Sequence, residues 1–387
     1  MKSKILILAP YFIPSVNAGG PVKSILNIVN SLSEQYEFFI ITRDHDKGPE
    51  TPFDASIKRN KWLPFNNSAI LYAKNSKPSF YFFWKEVTSV EPKLIYVNSI
   101  FDYFFSIKLI ILFYFGFFGK CKILVAPRGE LSGGALSLKK SKKRLYLYAS
   151  YFFRFYERKN IYFHATSKGE VDETYQKLHI SRKNIFVSPN IPTIPNTFNN
   201  RGSVSTCLKV IFLSRITPKK NLHFALKVLS KVDFDIQFDI YGPKEDNSYW
   251  VSCEDLIKRM PSNIKVKYIG KVALDDVHHV FSKYDLFLFP TLGENYGHVI
   301  VEALMVGTRV LISDRTPWNI VGKFKLGYAL PLVEKKFIDA LNSFSEIRDT
   351  VEERDSRIQA ANSLVGCEFS VNETKSMFIE LLEKKYV

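Results

Sequence analysis

The chain has 387 residues, of which 46% are apolar and 24% charged, a composition that excludes a disordered protein and a length that favours two domains over one. Its formal net charge of +16 is uneven: residues 1–200 hold 28 Lys and Arg against 14 Asp and Glu, and the remainder 26 against 24. So basic a first half points to a polyanion or an anionic membrane surface as partner.

The opening "MKSKILILAP" lacks the small-residue cleavage site of a secretory signal, and none is expected. Within it, Lys4–Pro10 reads as a buried strand. The loop "YFIPSVNAGG" follows, ending in Gly19 and Gly20, and then a helical pattern from Pro21 to Leu32, with Pro21 suited to a first turn. Further strand-like runs are "YEFFIITRD", Lys93–Ser99, Cys121–Pro127 and Asn160–Ser167, with helical segments between them. Such alternation predicts a parallel sheet covered on both faces. Tyr103–Phe118 is very apolar, but at 16 residues with Lys108 inside it is shorter than the roughly 20 a spanning helix needs. A buried helix, or one edge of a patch lying on a membrane, fits better. The basic and aromatic stretch 137–160 can be read as a surface for anionic headgroups, or as a long buried helix with a solvated basic start.

The segment 191–206, rich in Pro, Asn, Ser and Thr, reads as a linker and hinge. It divides a first domain, 1–190, from a second, 207–368, in which the alternation restarts, and residues 369–387 form a final helix. Cys121, Cys207, Cys253 and Cys367 include no CxxC pair, which speaks against disulfides and zinc and fits four buried thiols in a reducing cytoplasm. His278 and His279, adjacent on a helix, point in different directions and read as surface and partial core.

Ligands of open α/β sheets bind outside the carboxyl ends of the strands, and the chemistry-bearing loops all follow strands. In "LSRITPKKNL", Arg215 and Lys220 flank a turn opened by Pro218. Two cations at a sheet mouth suit a diphosphate, and equally a solvated turn. In "PTLGENYGHVIVEALM", Glu294 precedes Asn295, Tyr296 and Gly297, where a helix starts. A bare glycine at a helix start suits a phosphate, with Glu302 one turn on for ribose hydroxyls and Glu294 for an attached sugar. The plainer alternative is an acid satisfying the helix dipole and a second surface acid.

In this combination the sequence resembles glycosyltransferase family 4. The family's Glu-x7-Glu signature reads "ENYGHVIVE", and its paired Arg and Lys correspond to Arg215 and Lys220. Its N-terminal glycine pair corresponds to Gly19 and Gly20. "APRGELSGG" looks like a segment of the bacterial surface-polysaccharide members, and "CEFSVNETKSMFIELLEKKY" is similar to their final helices. The resemblance implies a GT-B fold: two Rossmann-like α/β domains with parallel sheets facing across a cleft, and a C-terminal helix crossing back to the first. It implies transfer of a sugar from a nucleotide-diphosphate donor, with retention and without a bound metal. No cofactor is expected, and a saccharide or polyprenyl-linked acceptor at the inner face of the cytoplasmic membrane would account for the basic first half and its aromatic segments. Arg215, Lys220 and Glu294 would be catalytic; Gly19, Gly20, Asn295, Tyr296, Gly297 and Glu302 would join them in donor binding. The chain departs from the family where many members carry a first-domain histidine; its loop offers Arg128 and Glu130, which could take an acceptor or be ordinary loop ions. Two other classes remain open: a sugar-nucleotide epimerase, for which no acid/base pair is evident, and a nucleic-acid-binding protein, which would leave the two acids of the second domain unexplained.

Overall fold

The structure, a computed structural model, describes residues 2–48, 52–74, 77–118, 121–137, 140–152, 160–195, 207–345 and 350–383. The chain divides into two compact units, residues 1–191 with 368–387, and residues 192–367. Most of the expected linker, 196–206, lies outside the described residues.

The first unit runs β1 (Ser3–Leu8), α1 (Gly20–Leu32), β2 (Tyr36–Arg43), β3 (Trp62–Phe65), β4 (Ser68–Ala73), α2 (Phe80–Val90), β5 (Leu94–Val97), a π turn leading into α3 (Lys108–Tyr114), β6 (Lys122–Val125), α4 (Gly133–Ser137), α5 (Lys140–Phe152), β7 (Ile161–Ala165), α6 (Lys168–Leu178) and β8 (Ile185–Val187). Its eight-stranded sheet has the order β3-β4-β2-β1-β5-β6-β7-β8. Every pairing is parallel except β3 with β4. That hairpin escapes a periodicity reading because β3 is four residues long and contains Pro64, which only an edge strand tolerates. The expected helical stretch at 137–160 is divided between α4 and α5; its residues 138–139 and 153–159 lie outside the described residues.

The second unit runs β9 (Leu208–Leu213), α7 (Leu222–Leu229), β10 (Ile236–Tyr241), α8 (Asn247–Ile257), β11 (Ile264–Gly270), α9 (Val277–Phe281), β12 (Leu286–Phe289), α10 (His298–Met305), β13 (Arg309–Ser313), β14 (Gly327–Leu330), α11 (Glu334–Ser345) and α12 (Val351–Val365). Its sheet, order β11-β10-β9-β12-β13-β14, is wholly parallel. Central strands such as "LIYV" of β5 and "LFLF" of β12 are buried along their whole length, as helices on both faces require. The last helix, α13 (Cys367–Glu383), belongs to the first unit. There the Phe378 ring meets Tyr36 and Tyr96 edge-on, and Lys122 Nζ donates to the Leu381 carbonyl. The thiols of Cys121 and Cys253 are buried, whereas Cys207 is only half-buried; the Cys367 side chain lies outside the described residues.

Candidate functional site

In the second sheet the chain steps outward from β9 through β10 to β11, then returns to the other side of β9 with β12. The chain therefore leaves β9 and β12 toward helices on opposite faces of the sheet, and the carboxyl ends at such a switch are where these sheets take ligands. The β9 loop carries Arg215, then a 3-10 turn over Pro218–Lys220, and Asn221 in a left-handed conformation opens α7. The β12 loop carries Thr291 through Tyr296, and Gly297 opens α10.

The two loops are stitched together by hydrogen bonds to backbone carbonyls. Leu292 N donates to the Lys219 carbonyl at 2.8 Å, and Asn221 Nδ2 donates to the Pro290 carbonyl at 2.9 Å. Lys220 Nζ then donates to Glu294 Oε1, an ion pair between residues 74 apart in sequence. Lys220 is 9% exposed. Burial lowers its pKa, the Glu294 carboxylate opposes that shift, and the neighbouring Arg215 and Lys219 add to it. Thr291 Oγ1 also donates to Glu294 Oε1 at 3.2 Å, and Glu294 N donates to the Arg315 carbonyl. Arg215 is turned the other way and pairs with Glu245 Oε2 at 2.5 Å, both side chains about one-third exposed. A carboxylate thus faces each of the two expected phosphate-binding cations.

Gly297 has φ 78°, and a Cβ there would press Ile300 Cδ1 at 3.0 Å, so glycine serves both the turn and the packing of α10. Asn295 and Tyr296 are half-buried in the same loop, where Trp318 Nε1 donates to the Tyr296 carbonyl at 2.5 Å. Glu302 sits in the second turn of α10 and is 3% exposed, more enclosed than its expected ribose contact suggests. The far end of α10 is held from α12: Arg354 Nε donates to the Val306 carbonyl and Arg357 Nε to that of Gly307, each at 3.0 Å. Cations on helix-terminal carbonyls are favourable with the helix dipole. Glu245, Thr291, Trp318 and these arginines did not stand out in the sequence; only Glu245, just past a strand end in "IYGPKE", carried a positional signal.

In the first unit, Gly19 caps α1 with φ 65°, and nothing lies within 4 Å of a Cβ built there. The loop before it is fastened by Asp46, whose carboxylate accepts from Ser15 Oγ, Val16 N and Asn17 N. Arg128 and Glu130 are occupied within their own unit. Glu130 accepts from Ile100 N at 2.7 Å, Phe101 N at 3.3 Å and Ser99 Oγ at 3.0 Å, and burial raises its pKa against the pull of those bonds. Arg128 has φ 55° and donates to Asn98 Oδ1, Asn190 Oδ1 and Tyr96 OH. Tyr96 OH is 2.6 Å from His164 Nδ1, and His164 Nε2 is 2.9 Å from the Ser188 carbonyl. A carbonyl only accepts, so Nε2 carries the proton and the hydroxyl donates to Nδ1. Burial first, and Arg128 second, push the His164 pKa down to about 3. Among the described residues no three His, Cys, Asp or Glu side chains are grouped to hold a metal ion.

Two parallel α/β units with a C-terminal helix returned to the first make up the GT-B fold. Residues 194–363, within the second unit, match the family model of the glycosyl transferases, group 1. Over 134 residues, 35% of this chain and 37% of the other, it is 22% identical to the O-antigen chain mannosyltransferase RfbU of Salmonella typhimurium. Over 107 residues, 27% of each, it is 26% identical to an uncharacterized glycosyltransferase of Methanocaldococcus jannaschii. The chain thus spans about a third of the length of the curated relatives it matches. HepE of Anabaena, solved with UDP and glucose, shares the fold over 98% of this chain and 99% of its own, with a TM-score of 0.66 at 16% identity.

Proposed function

We propose that the chain is a glycosyltransferase that moves a sugar from a nucleotide-diphosphate donor to a saccharide or lipid-linked saccharide in bacterial surface-polysaccharide synthesis. The observation that carries this reading is the switch point of the second sheet. There Arg215, Lys219, Lys220 and Glu294 gather from two separate loops beside the glycine start of α10. The family match over residues 194–363, the UDP and glucose held by HepE, and the O-antigen chemistry in the name of RfbU support it.

Arg215 and Lys220 leave their carboxylates for the diphosphate and stabilise the charge that grows on it as the anomeric C–O bond breaks. Glu294, released from Lys220, holds the sugar, and Glu302 the ribose. Asn295, Tyr296 and Gly297 shape the donor side. The acceptor oxygen bonds to the anomeric carbon on the face the diphosphate leaves, with retention, and its proton passes to a departing phosphate oxygen. In this scheme the cations do the work a metal would otherwise do, and no cofactor is needed. Among the described residues no helix is long and apolar enough to cross a membrane; the basic segment 137–160 would bring the enzyme to the inner face of the cytoplasmic membrane as a peripheral protein.

Incubation with UDP-, GDP- and ADP-sugars and a bacterial lipid extract, read by mass spectrometry, tests this. One donor should add a single glycosyl mass to a saccharide or polyprenyl-linked acceptor and release its nucleoside diphosphate. Interconversion of the donor sugar with no transfer would replace the reading by an epimerase.

A further inference from the structure

Helices α2, α3 and α5 cover one face of the first sheet and share one apolar core, to which α2 gives Phe83 and Val87, α3 gives Leu109 and Ile110, and α5 gives Tyr146 and Leu147. A helix layer facing water should be polar on its outer side. This one is not. Tyr81 is 68% exposed, Phe115 69%, Leu145 70% and Tyr148 71%, with Trp84 and Tyr103 also exposed. Among the described residues of the first unit, the only exposed large hydrophobic side chains away from these three helices and their flanks are Tyr175, Val187 and Ile379.

The patch is continuous from helix to helix. Tyr81 and Trp84 lie 5.8 Å apart on α2, and Lys108 Nζ sits 5.1 Å from the Phe80 ring and 5.6 Å from that of Tyr103. Phe101 meets Tyr146 of α5 edge-on at 5.9 Å, beneath Lys143 Nζ at 5.0 Å. On α5, Leu145, Tyr148 and Tyr151 are exposed at spacings of three residues, one stripe of the helix. The three segments 77–90, 103–118 and 131–152 contain eight Lys and Arg and a single acid, Glu86. That acid is buried, accepts from Trp62 Nε1 at 3.0 Å and lies 3.8 Å from Lys85 Nζ, and Lys108 is itself buried, so the exposed charge is smaller than the count but still of one sign. The next helix, α6, brings Asp172 and Glu173 to its outer side, and there the one-signed surface ends.

We infer that the outer face of α2, α3 and α5 docks flat on an anionic lipid bilayer, inserting the Tyr81, Trp84, Leu145 and Tyr148 side chains among the headgroups. Tyr and Trp are the side chains favoured at that depth, and each basic residue near an anionic surface adds to the attraction. A second copy of the chain fits less well, since a two-fold contact would set one cationic patch against another. Nucleic acid also fits less well, because the most exposed large groups are apolar side chains on helices rather than cations lining a groove. The N-termini of all three helices lie at the carboxyl edge of the sheet, which keeps that edge beside the bilayer for a lipid-linked acceptor. The inference rests on the proposed acceptor only for this last sense; vesicle binding is read without sugar transfer, so either reading can fail alone.

The test is flotation of the full chain with vesicles of phosphatidylcholine, alone or with 30 mol% phosphatidylglycerol, at about 150 mM salt, where surface charge is screened beyond about 8 Å. The expected result is flotation with the anionic vesicles only. The double variants Tyr81→Ser/Trp84→Ser and Leu145→Ser/Tyr148→Ser, with unchanged melting temperatures, should each bind about tenfold more weakly. Brominated lipid should quench wild-type fluorescence, and Trp84→Phe should lose that quenching. The inference is overturned by no flotation with anionic vesicles, by variants that float like wild type, or by quenching that survives Trp84→Phe. It is equally overturned by a lipid-free dimer that the variants dissociate, or by an oligonucleotide that binds to the patch in preference to the vesicles.

Discussion

Replacing Glu294 with alanine leaves the Lys220 ammonium enclosed without its counter-ion. Both side chains are nearly buried, 11% and 12% exposed, and breaking such a pair costs about 3–5 kcal/mol. The residual exposure places Glu294→Ala near about 3 kcal/mol, or roughly 6–12 °C in melting temperature for a unit of this size. The loss should depend on pH. Burial already lowers the pKa of Lys220 in the folded state, and Glu294 opposes that shift, so its removal lowers the pKa further. Between that lowered value and the unfolded value of about 10.4, the unfolded chain holds a proton that the folded chain does not, and stability rises with pH. Glu294→Ala should therefore regain part of its loss as pH is raised from 7 toward 10, starting lower than any rise in wild type. The double variant Lys220→Met/Glu294→Gln, which removes both charges at similar shape, should recover most of the stability while failing to bind a diphosphate. Urea unfolding followed by circular dichroism at several pH values provides the assay. A Glu294→Ala protein within about 1 kcal/mol of wild type, with no relative gain above pH 8, would refute the claim that this contact is a desolvated pair.

Other expectations concern the first unit and the helix start. His164, neutral with a pKa near 3 in the folded protein, gains a proton on unfolding below about pH 6.5. Its contribution should make stability fall by up to about 1.4 kcal/mol per pH unit between 6.5 and 3, and His164→Gln should flatten that slope in acid unfolding curves. Glu130→Ala strips the partner from two backbone N–H groups and the Ser99 hydroxyl. It should cost about 3 kcal/mol in urea unfolding while leaving nucleotide affinity in calorimetry unchanged. Gly297→Ala, strained at φ 78° and pressed on Ile300, should lower stability by about 1–2 kcal/mol and weaken diphosphate binding, read by thermal shift and calorimetry.

The sequence made the central strands legible because they are unbroken apolar runs: β1, β5, β6 and β12 each fall within a stretch recognisable without a structure. The β3–β4 hairpin was hidden by its shortness and Pro64. At the candidate site, the loops were identifiable because they follow strands, but the pairing of Lys220 with Glu294 was not, since 74 residues separate them. Local spacing cannot reveal which carboxylate a lysine meets when the meeting depends on strand order. The same holds for Arg128 and Glu130, either side of Gly129 in a loop and open to solvent as far as sequence could tell. The fold instead wraps Glu130 in the backbone of the β5 loop and ties Arg128 to Asn98, Asn190 and Tyr96. The basic run in 137–160 was visible in the sequence, whereas the nearness of α2 to α3 required the packing that sets Phe80 against Lys108.

The central claim is that the switch point of the second sheet binds a nucleoside diphosphate through Arg215 and Lys220. Thermal shift with UDP, GDP and ADP, against CMP as a monophosphate control, tests it on wild type and on Arg215→Ala, a partly exposed position whose loss should leave the fold intact. One diphosphate at about 100 times its Kd should add about 2.7 kcal/mol, a rise of roughly 5–11 °C in wild type. That rise should shrink to a small fraction in Arg215→Ala. A folded wild type that no diphosphate stabilises, or an Arg215→Ala protein stabilised as much as wild type, would contradict it.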